Sequence, residues 1–312
     1  MRPKVIVTAY AHPLLRKRLE SYGFDVHEEY SIDYAGLMNI IGEYTGMIVT
    51  TKLKIDKAIL DKAVSLKWIG RLGSGMELID LDYASSLGIK CVASPEGNRN
   101  AVAEHSLGIL LSLMHKISLA NEQIKQFVWL RDENRGTELK GKKVGIIGYG
   151  NTGIRFAQLL SVFDASILVY DKYKTGFSEG CVQEVSLDEI MNHADVISFH
   201  VPLTAETHYF ANQAFFKKCK KSPYFLNLSR GKVVNTIDLM AALDEGLICA
   251  AGLDVLENEN IKSYGSSDLA MLTNLTQRPN VIITPHIGGY SYEALEKMAN
   301  VVLEKLDLPP RD

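Results

Sequence analysis

Six short apolar segments recur along the second half of the chain, and they constrain the fold more than any other feature. They are rich in valine and isoleucine, and they comprise residues 143–148, 166–171, 195–202, 224–229, 250–255 and 281–285. Continuous apolar runs of this length are typical of strands that are buried on both faces of a sheet. Because helix-like segments separate them, the pattern predicts a doubly wound, parallel α/β sheet.

The first half of the chain repeats this alternation with weaker segments. We expect strands at 4–10, 46–51 and 90–93, and helices at 13–22 and 56–64. A length of 312 residues also favours two domains. The chain ends on a helix-like segment, 291–307, which we expect to pack back on the first domain and make it discontinuous. The predicted fold class is therefore α/β with two doubly wound parallel sheets, in domains of residues 1–97 with 288–312 and 98–287.

Composition excludes several kinds of partner. The net charge is −3 and no dense lysine and arginine cluster is present, so we expect no nucleic-acid partner. No segment reaches the ~20 apolar residues of a membrane span, and the first residues do not resemble a signal peptide, so we expect a cytoplasmic protein. The cysteines are widely spaced, which argues against a zinc site or a disulfide framework and favours buried, reduced thiols; they are Cys91, Cys181, Cys219 and Cys249.

A glycine-rich turn between a strand and a helix predicts a dinucleotide site. Gly148 allows the tight turn, Gly150 allows a pyrophosphate to approach the backbone, and Gly153 allows close packing of helix on strand. The next strand ends at Asp171, whose carboxylate suits the ribose hydroxyls and favours NAD over NADP, although Lys172 and Lys174 argue the other way. The predicted cofactor-binding residues of this region are Gly148, Tyr149, Gly150, Asn151, Thr152, Gly153 and Asp171.

Polar residues follow the other predicted strands where a parallel sheet would gather them at one edge. They are His200, Pro202, Ser229, Arg230, Asp254, Glu257, Glu259, Thr284 and His286. An arginine can bind a carboxylate with two hydrogen bonds, a histidine can protonate a carbonyl oxygen, and a carboxylate can stabilise the imidazolium. This set suits hydride transfer to a 2-oxo acid. A metal site is disfavoured because no ligand pair has metal spacing, and Glu257 is interpreted as a solvated neighbour.

In the first domain, Gly73 and Gly75 flank Ser74, and together they can form a backbone nest for an anion. The long apolar segment 98–130 is interpreted as the crossing into the second domain and as a homodimer interface, with His105 and His115 packing on its helix.

Seven blocks in order resemble the D-isomer-specific 2-hydroxyacid dehydrogenase family over essentially the whole chain. The blocks are RLGSGMELID (71–80), SPEGNRNAVAEHSLGILL (94–111), LKGKKVGIIGYGNTG (139–153), HVPLTAET (200–207), NLSRGKVVNT (227–236), AGLDVLENE (251–259) and ITPHIGG (283–289). The resemblance implies a Rossmann NAD-binding domain and a smaller, flavodoxin-like substrate domain. It also implies that Arg230, Glu259 and His286 are catalytic.

Further roles follow from the same resemblance. Asp254 is expected to hold the nicotinamide carboxamide. The backbone amides of Ser74 and Gly75, together with Arg230 and His286, are expected to bind the substrate. Pro202 and Thr204 are expected to line the cofactor. Ser229 and His200 are expected near it because they follow strands, and His200 has either a structural role or one at the cofactor edge. The family usually has proline directly after its catalytic glutamate, whereas this chain has Asn260, so we expect the loop that carries Glu259 to be held less firmly.

Several substrates stay open: D-3-phosphoglycerate, glyoxylate or hydroxypyruvate, and D-lactate-like acids. Phosphoglycerate dehydrogenases usually have an arginine–serine pair after the third strand, where this chain has Thr50 and Thr51 followed by Lys52 and Lys54. The end of the chain at Asp312 is expected to leave no room for a regulatory domain. An NAD-sensing regulatory protein on the same fold is the alternative to an enzyme.

Overall fold

Two parallel sheets organise the chain in this computed structural model, which describes residues 2–310. One compact unit comprises Met1–Arg99 with Gly289–Asp312, and the other comprises Asn100–Gly288. We refer to them as the first and the second unit. The chain therefore passes from unit to unit twice, once at residues 99–100 and once at residues 288–289.

The first unit contains five parallel strands in the order β2-β1-β3-β4-β5. The strands are β1 (Lys4–Val7), β2 (Asp25–Glu28), β3 (Gly46–Val49), β4 (Trp68–Arg71) and β5 (Lys90–Ala93). Its helices are α1 (Pro13–Ser21), α2 (Tyr34–Ile40), α3 (Lys57–Lys62), α4 (Leu81–Ser86) and the terminal α12 (Tyr292–Lys305), with a 3₁₀ turn at Ile41–Glu43. This strand order is that of flavodoxin-like folds, in agreement with the prediction.

Two strands of this sheet escaped the sequence analysis. β2 lies at the edge of the sheet, and of its residues only Val26 is buried, so it has no apolar run. β4 is fully buried, but Gly70 interrupts its apolar sequence. A Cβ at Gly70 would lie 2.5 Å from Val302 of α12, so the glycine is needed for close packing of the terminal helix. That helix belongs to the first unit, and its residues Met298 and Val302 are buried.

The second unit contains seven parallel strands in the order β12-β11-β10-β9-β6-β7-β8. The strands are β6 (Lys143–Ile147), β7 (Ser166–Tyr170), β8 (Val182–Glu184), β9 (Val196–Phe199), β10 (Tyr224–Asn227), β11 (Ala250–Leu253) and β12 (Val281–Ile283). The six predicted strands are present, and only the three-residue edge strand β8 is additional. The strand order reverses between β6 and β9, and ligands of doubly wound sheets bind at the carboxyl ends of the strands beside such a point.

Helices cover both faces of this sheet. They are α7 (Asn151–Leu160), α8 (Leu187–His193), α9 (Gln213–Lys218), α10 (Thr236–Asp244) and α11 (Ser266–Thr276), with 3₁₀ turns at Ser161–Phe163, Gly231–Val233 and Ile261–Ser263. Successive residues of one strand alternate between two apolar clusters: Ile146 packs in one and Ile147 in the other. This double burial explains why the strands are continuously apolar in sequence.

The segment 98–130 forms two helices, α5 (Pro95–Met114) and α6 (Ile117–Lys125). They are separated at Lys116, which has a left-handed backbone (φ 52°). Over residues 2–310, no helix is both long and apolar enough to cross a membrane. The expectation of buried thiols is wrong for Cys181 and Cys249, which are exposed; Cys219 is buried, and all four cysteines are free.

Candidate functional site

The glycine turn after β6 has the geometry that a dinucleotide requires. Gly148 has φ 98°, and a Cβ there would lie 2.5 Å from the carbonyl oxygen of His200. A Cβ at Gly153 would lie 2.1 Å from the carbonyl oxygen of Gly148, so helix α7 packs directly on the turn. At Gly150, by contrast, no described atom lies within 4 Å of the Cβ position. The structure therefore fits NAD, because the one glycine that packing does not require is the one that a pyrophosphate would approach.

Helix α7 begins at Asn151, directly after Gly150. Its N-cap has no side-chain hydrogen bond within the described chain, so the amides of its first turn are available to a phosphate. Thr152 also lies in this first turn. Tyr149 packs its ring on Phe177, with the ring centroids 4.6 Å apart.

Asp171 lies at the end of β7 and is bonded to the same turn. Its Oδ2 accepts a hydrogen bond from Tyr149 N at 2.7 Å, and its Oδ1 accepts one from Tyr173 N at 2.9 Å. The neighbouring lysines have other partners: Lys172 forms an ion pair with Glu206 at 2.6 Å, and Lys174 Nζ donates to the carbonyl oxygen of Tyr149 at 2.7 Å. Each lysine thus has a partner within the second unit, and the expected preference for NAD over NADP stays a prediction.

His200 lies at the end of β9, but its ring is buried in the second unit. Its Nε2 is 2.9 Å from Ser198 Oγ, and the ring packs on Phe156. The imidazole thus has a structural role, while the backbone carbonyl of His200 lies beside Gly148 of the glycine turn. Its expected place beside the cofactor stays a prediction. The nearby Pro202 and Thr204 are exposed, in a turn closed by Thr207 Oγ1 donating to the carbonyl oxygen of Pro202 at 2.6 Å.

The Ser229–Arg230 turn after β10 is held by a residue that the sequence analysis missed. Asn227 is buried; its Oδ1 accepts hydrogen bonds from Ser229 N at 3.1 Å and Oγ at 2.7 Å, and its Nδ2 donates to the carbonyl oxygen of Arg230 at 2.9 Å. Arg230 is half-buried, and its Nη1 donates to the carbonyl oxygen of Ser229 at 2.7 Å. Asn227 is the polar residue that ends the buried strand β10. That position is the sequence signal that could have identified it as the residue holding the turn.

His286 and Glu259 lie together although 27 residues separate them. His286 Nδ1 is 2.8 Å from Glu259 Oε2, and both side chains are partly exposed. Since Nδ1 bonds the carboxylate, Nε2 is the ring nitrogen that remains for a substrate. The His286 backbone is left-handed (φ 56°), which costs a non-glycine residue roughly 1–2 kcal/mol. Such a conformation persists where neighbouring contacts impose it, often at functional sites.

The loop that carries Glu259 is fixed by hydrogen bonds where the family usually has proline. Asn258 Oδ1 accepts a bond from Asn260 N at 3.0 Å, and the hydroxyl of Tyr264 donates to the carbonyl oxygen of Asn258. The 3₁₀ turn Ile261–Ser263 follows directly. These bonds restrict the backbone beside Asn260, where a proline ring would restrict it in the family.

Glu257 is not the solvated neighbour that we expected. Its Oε1 accepts a hydrogen bond from Thr236 N, in the first turn of α10, at 2.8 Å, and its Oε2 accepts one from the Tyr209 hydroxyl. The bond to Glu257 raises the pKa of Tyr209. Glu257 is therefore an anchor of the loop. The described residues include no group of three or more histidine, cysteine, aspartate or glutamate side chains arranged to hold a metal ion.

Asp254 lies at the end of β11 and is 2% exposed. Its carboxylate accepts hydrogen bonds from Thr284 Oγ1 at 2.5 Å, Ile287 N at 2.9 Å and Gly288 N at 2.7 Å. A carboxylate has about four acceptor positions, and besides these three donors His105 Nε2 lies 3.6 Å from Oδ1. The expected contact with the nicotinamide stays a prediction.

In the first unit, Ser74 and Gly75 follow β4 in a sharp turn. Gly73 has φ 139°, and a Cβ there would lie 1.7 Å from the Arg71 side chain. The buried Ser94 holds the turn, because its Oγ accepts a hydrogen bond from Gly73 N at 2.9 Å. Ser74 Oγ donates to Asn98 Oδ1 at 3.1 Å. Glycines on both sides of Ser74 leave the backbone amides accessible to an anion.

Comparison with known proteins gives a consistent result. The sequence profile described as "D-isomer specific 2-hydroxyacid dehydrogenase, NAD binding domain" matches residues 107–288, which lie within the second unit. The chain is 33% identical to a glyoxylate reductase of Thermofilum pendens, over 99% of this chain and 94% of that protein. It is 32% identical to a D-3-phosphoglycerate dehydrogenase of Archaeoglobus fulgidus, over 91% of this chain and 53% of that protein. This chain thus spans about half the length of that relative.

Among solved structures, the chain is similar to a D-lactate dehydrogenase of Aquifex aeolicus in complex with NAD and lactic acid. The TM-score is 0.83 at 28% identity, and the match covers 97% of this chain and 94% of that one.

The different constraints on two glycines give a first prediction. Gly150→Ala is expected to weaken NADH binding at least about tenfold while the melting temperature stays unchanged, because the added methyl group enters open space beside the ligand. Gly153→Ala is expected to destabilise the fold by about 1–3 kcal/mol, because its methyl group would clash with Gly148. NADH fluorescence titration and thermal melting check the pair. Equal loss of stability in both variants would contradict the distinction.

The burial of His200 gives a second prediction. Burial lowers the pKa of His200 from 6.5 to about 4. Since the unfolded chain takes up this proton first, the stabilising contribution is complete above about pH 6.5 and is lost as the pH falls toward about 4. Between pH 7 and pH 5, the free energy of unfolding should fall by about 2 kcal/mol more in the wild type than in His200→Gln. Urea denaturation at both pH values measures this difference.

His208 provides the matched control, because it is an exposed histidine of the same unit. His208→Gln should keep the wild-type dependence on pH. The assignment fails if His200→Gln loses as much stability between the two pH values as the wild type does.

Proposed function

This chain belongs to the D-isomer-specific 2-hydroxyacid dehydrogenase family and uses NAD, and we propose that it reduces small, unphosphorylated 2-oxo acids, glyoxylate and hydroxypyruvate first among them. The observation that carries the proposed chemistry is the 2.8 Å contact between His286 Nδ1 and Glu259 Oε2. It leaves His286 Nε2 as the group that delivers a proton to the substrate oxygen.

Each group at the site has its own role in the proposed reaction. NADH, when bound at the Gly148–Gly153 turn, supplies the hydride for the carbonyl carbon. Arg230 binds the substrate carboxylate with its planar guanidinium. His286 Nε2 gives its proton to the developing alkoxide oxygen, and Glu259 stabilises the imidazolium before the transfer.

The choice of an unphosphorylated substrate rests on the residues after β3. Lys52 Nζ donates to the carbonyl oxygen of Tyr30 at 2.5 Å, and Lys54 Nζ lies 3.9 Å from Asp56. A lysine is a point charge and cannot bind a phosphate with two parallel hydrogen bonds, as an arginine can. Lys52 is thus engaged within the first unit, and Lys54 is exposed beside Asp56. The absence of an arginine here supports a substrate without phosphate. The glyoxylate reductase relative, matched over 94% of its length, supports the same choice.

The third prediction tests the substrate class. Purified protein with NADH should reduce glyoxylate and hydroxypyruvate with a kcat/KM at least about tenfold above that for 3-phosphohydroxypyruvate, with pyruvate as the fourth acid of the panel. The absorbance of NADH reports turnover. His286→Ala is the control, and it should bind NADH normally while losing most of kcat. A preference for the phosphorylated acid would refute the substrate proposal, and no turnover with any acid would favour the NAD-sensing alternative.

We also propose that the protein is a homodimer through the segment 98–130. Helix α6 has nine residues, none of them buried, although Ile117 and Ile124 are apolar. Phe127 and Trp129, which follow it, are 99% and 81% exposed. A helix this short is marginal in water without packing, and large exposed apolar side chains on and after it favour a surface that a partner subunit covers.

The fourth prediction follows from this surface. The double variant Phe127→Ser/Trp129→Ser should be monomeric at micromolar concentration, whereas the wild type is a dimer; light scattering after size exclusion measures the mass. Val162→Ser is the control, since Val162 is 80% exposed in the same unit but lies outside the segment. A monomeric wild type, or a dimeric double variant, would rule out this interface.

A further inference from the structure

The left-handed backbone at His286 turns the following amides toward one carboxylate. His286 N donates to the carbonyl oxygen of Asp254 at 2.8 Å. The next two amides, Ile287 N and Gly288 N, donate to the two oxygens of the Asp254 carboxylate at 2.9 and 2.7 Å. Successive amides after a left-handed residue form a nest for an anion. Here the anion is a side chain of the protein, so the conformation of His286 depends on where the Asp254 carboxylate is held.

The third donor to the Asp254 carboxylate is the Thr284 hydroxyl, and its one proton determines which way its two hydrogen bonds run. Thr284 Oγ1 lies 2.5 Å from Asp254 Oδ1, and an ionised carboxylate can only accept, so the hydroxyl proton points to Asp254. A hydroxyl has one proton, so its contact with His105 Nε2 at 3.0 Å must be one in which the imidazole donates. His105 therefore carries a proton on Nε2. The sequence analysis expected this histidine only to pack on its helix.

These contacts join three separate elements of the second unit. His105 belongs to α5, Thr284 follows β12, and Asp254 follows β11. Glu259, the partner of His286, lies five residues beyond Asp254 in the same loop. The Asp254 backbone and carboxylate thus hold the His286 segment beside the loop that carries Glu259.

We propose that His105 and Thr284 are positioning residues of the reaction: by donating in series to Asp254, they hold His286 in the backbone conformation that brings its ring to Glu259. This role rests on the proposed function, in which the ring of His286 transfers the proton. Neither residue is required to touch the substrate. Without the Thr284 hydroxyl, Asp254 Oδ1 loses its shortest donor and keeps Ile287 N, with His105 Nε2 lying 3.6 Å away, so the carboxylate is held less firmly.

The first test removes the hydroxyl without changing the shape of the side chain. Thr284→Val should lower kcat roughly 10- to 100-fold, because small displacements of a reacting group have effects of this size. The KM for glyoxylate should change less than about threefold, since Arg230 is untouched. Thr284→Ser restores the donor and should regain at least half of the wild-type kcat.

Thr276 supplies the matched control. Its hydroxyl also donates to backbone carbonyl oxygens, those of Leu272 and Thr273, but on the exposed face of α11. Thr276→Val should therefore keep the wild-type kcat. A folded Thr284→Val variant with kcat within twofold of the wild type would overturn the proposal, as would a Thr284→Ser variant that stays as slow as Thr284→Val.

A second measurement does not depend on turnover. Hydrogen exchange followed by mass spectrometry should show that the amides of Ile287 and Gly288 exchange at least about tenfold faster in Thr284→Val than in the wild type, and are protected again in Thr284→Ser. If no 2-oxo acid is reduced, the proposed function fails while this exchange pattern still supports the arrangement. If Thr284→Val is active and the two amides exchange as in the wild type, the positioning role is contradicted while the proposed function stands.

His105→Phe keeps a ring but removes the donor, so its kcat should fall as that of Thr284→Val does. This variant tests the proposal even where Thr284→Val does not fold. If both residues act in one series, kcat of the double variant should be no more than about twofold below that of the slower single variant. Losses that multiply would show that the residues act separately, and would refute the proposed series.

Discussion

An ionised carboxylate in a protein interior is costly, by several kcal/mol, unless hydrogen-bond donors replace the water that it loses. For Asp254 these donors come from a single segment, 284–288, that also contains His286. The requirement to satisfy one buried charge therefore shapes the backbone of the residue that we propose to transfer the proton. The same segment ends at Gly288, where the chain leaves the second unit. The bonds to Asp254 therefore fix both the backbone of His286 and the last residues of this unit.

The parallel sheet explains why this site could be predicted from sequence. All strands of such a sheet end at the same edge, so residues that directly follow apolar runs meet there whatever their separation in the chain. Glu259 and His286 were selected on this basis together with the resemblance, and the structure brings them within 2.8 Å. The glycine turn was predictable for a similar reason, because each glycine has a local geometric role in a strand–turn–helix unit.

What the sequence did not reveal depends on contacts that no local pattern records. β2 and β8 lie at sheet edges, where one side meets solvent and no apolar run is needed. Glu257 resembles a surface acid in sequence, yet its partners Thr236 and Tyr209 lie 21 and 48 residues away. The role of Asn258 in fixing its own loop could not be predicted, because its bonds to Asn260 N and to the Tyr264 hydroxyl exist only in the folded loop. Hydrogen bonds and a proline ring are alternative ways to restrict the same backbone.

Glycines show where the structure leaves space for something outside this chain. Eight have no described atom within 4 Å of the Cβ position, and six of these have a positive φ that glycine accommodates without strain: Gly23, Gly88, Gly141, Gly176, Gly180 and Gly246. At Gly150 and Gly108, neither a positive φ nor a close contact at the Cβ position explains the glycine. Gly150 borders the proposed pyrophosphate site. Gly108 is exposed inside helix α5, where glycine costs about 1 kcal/mol relative to alanine. It lies in the segment proposed as the dimer interface, and a close approach by the partner subunit would give that cost a physical reason.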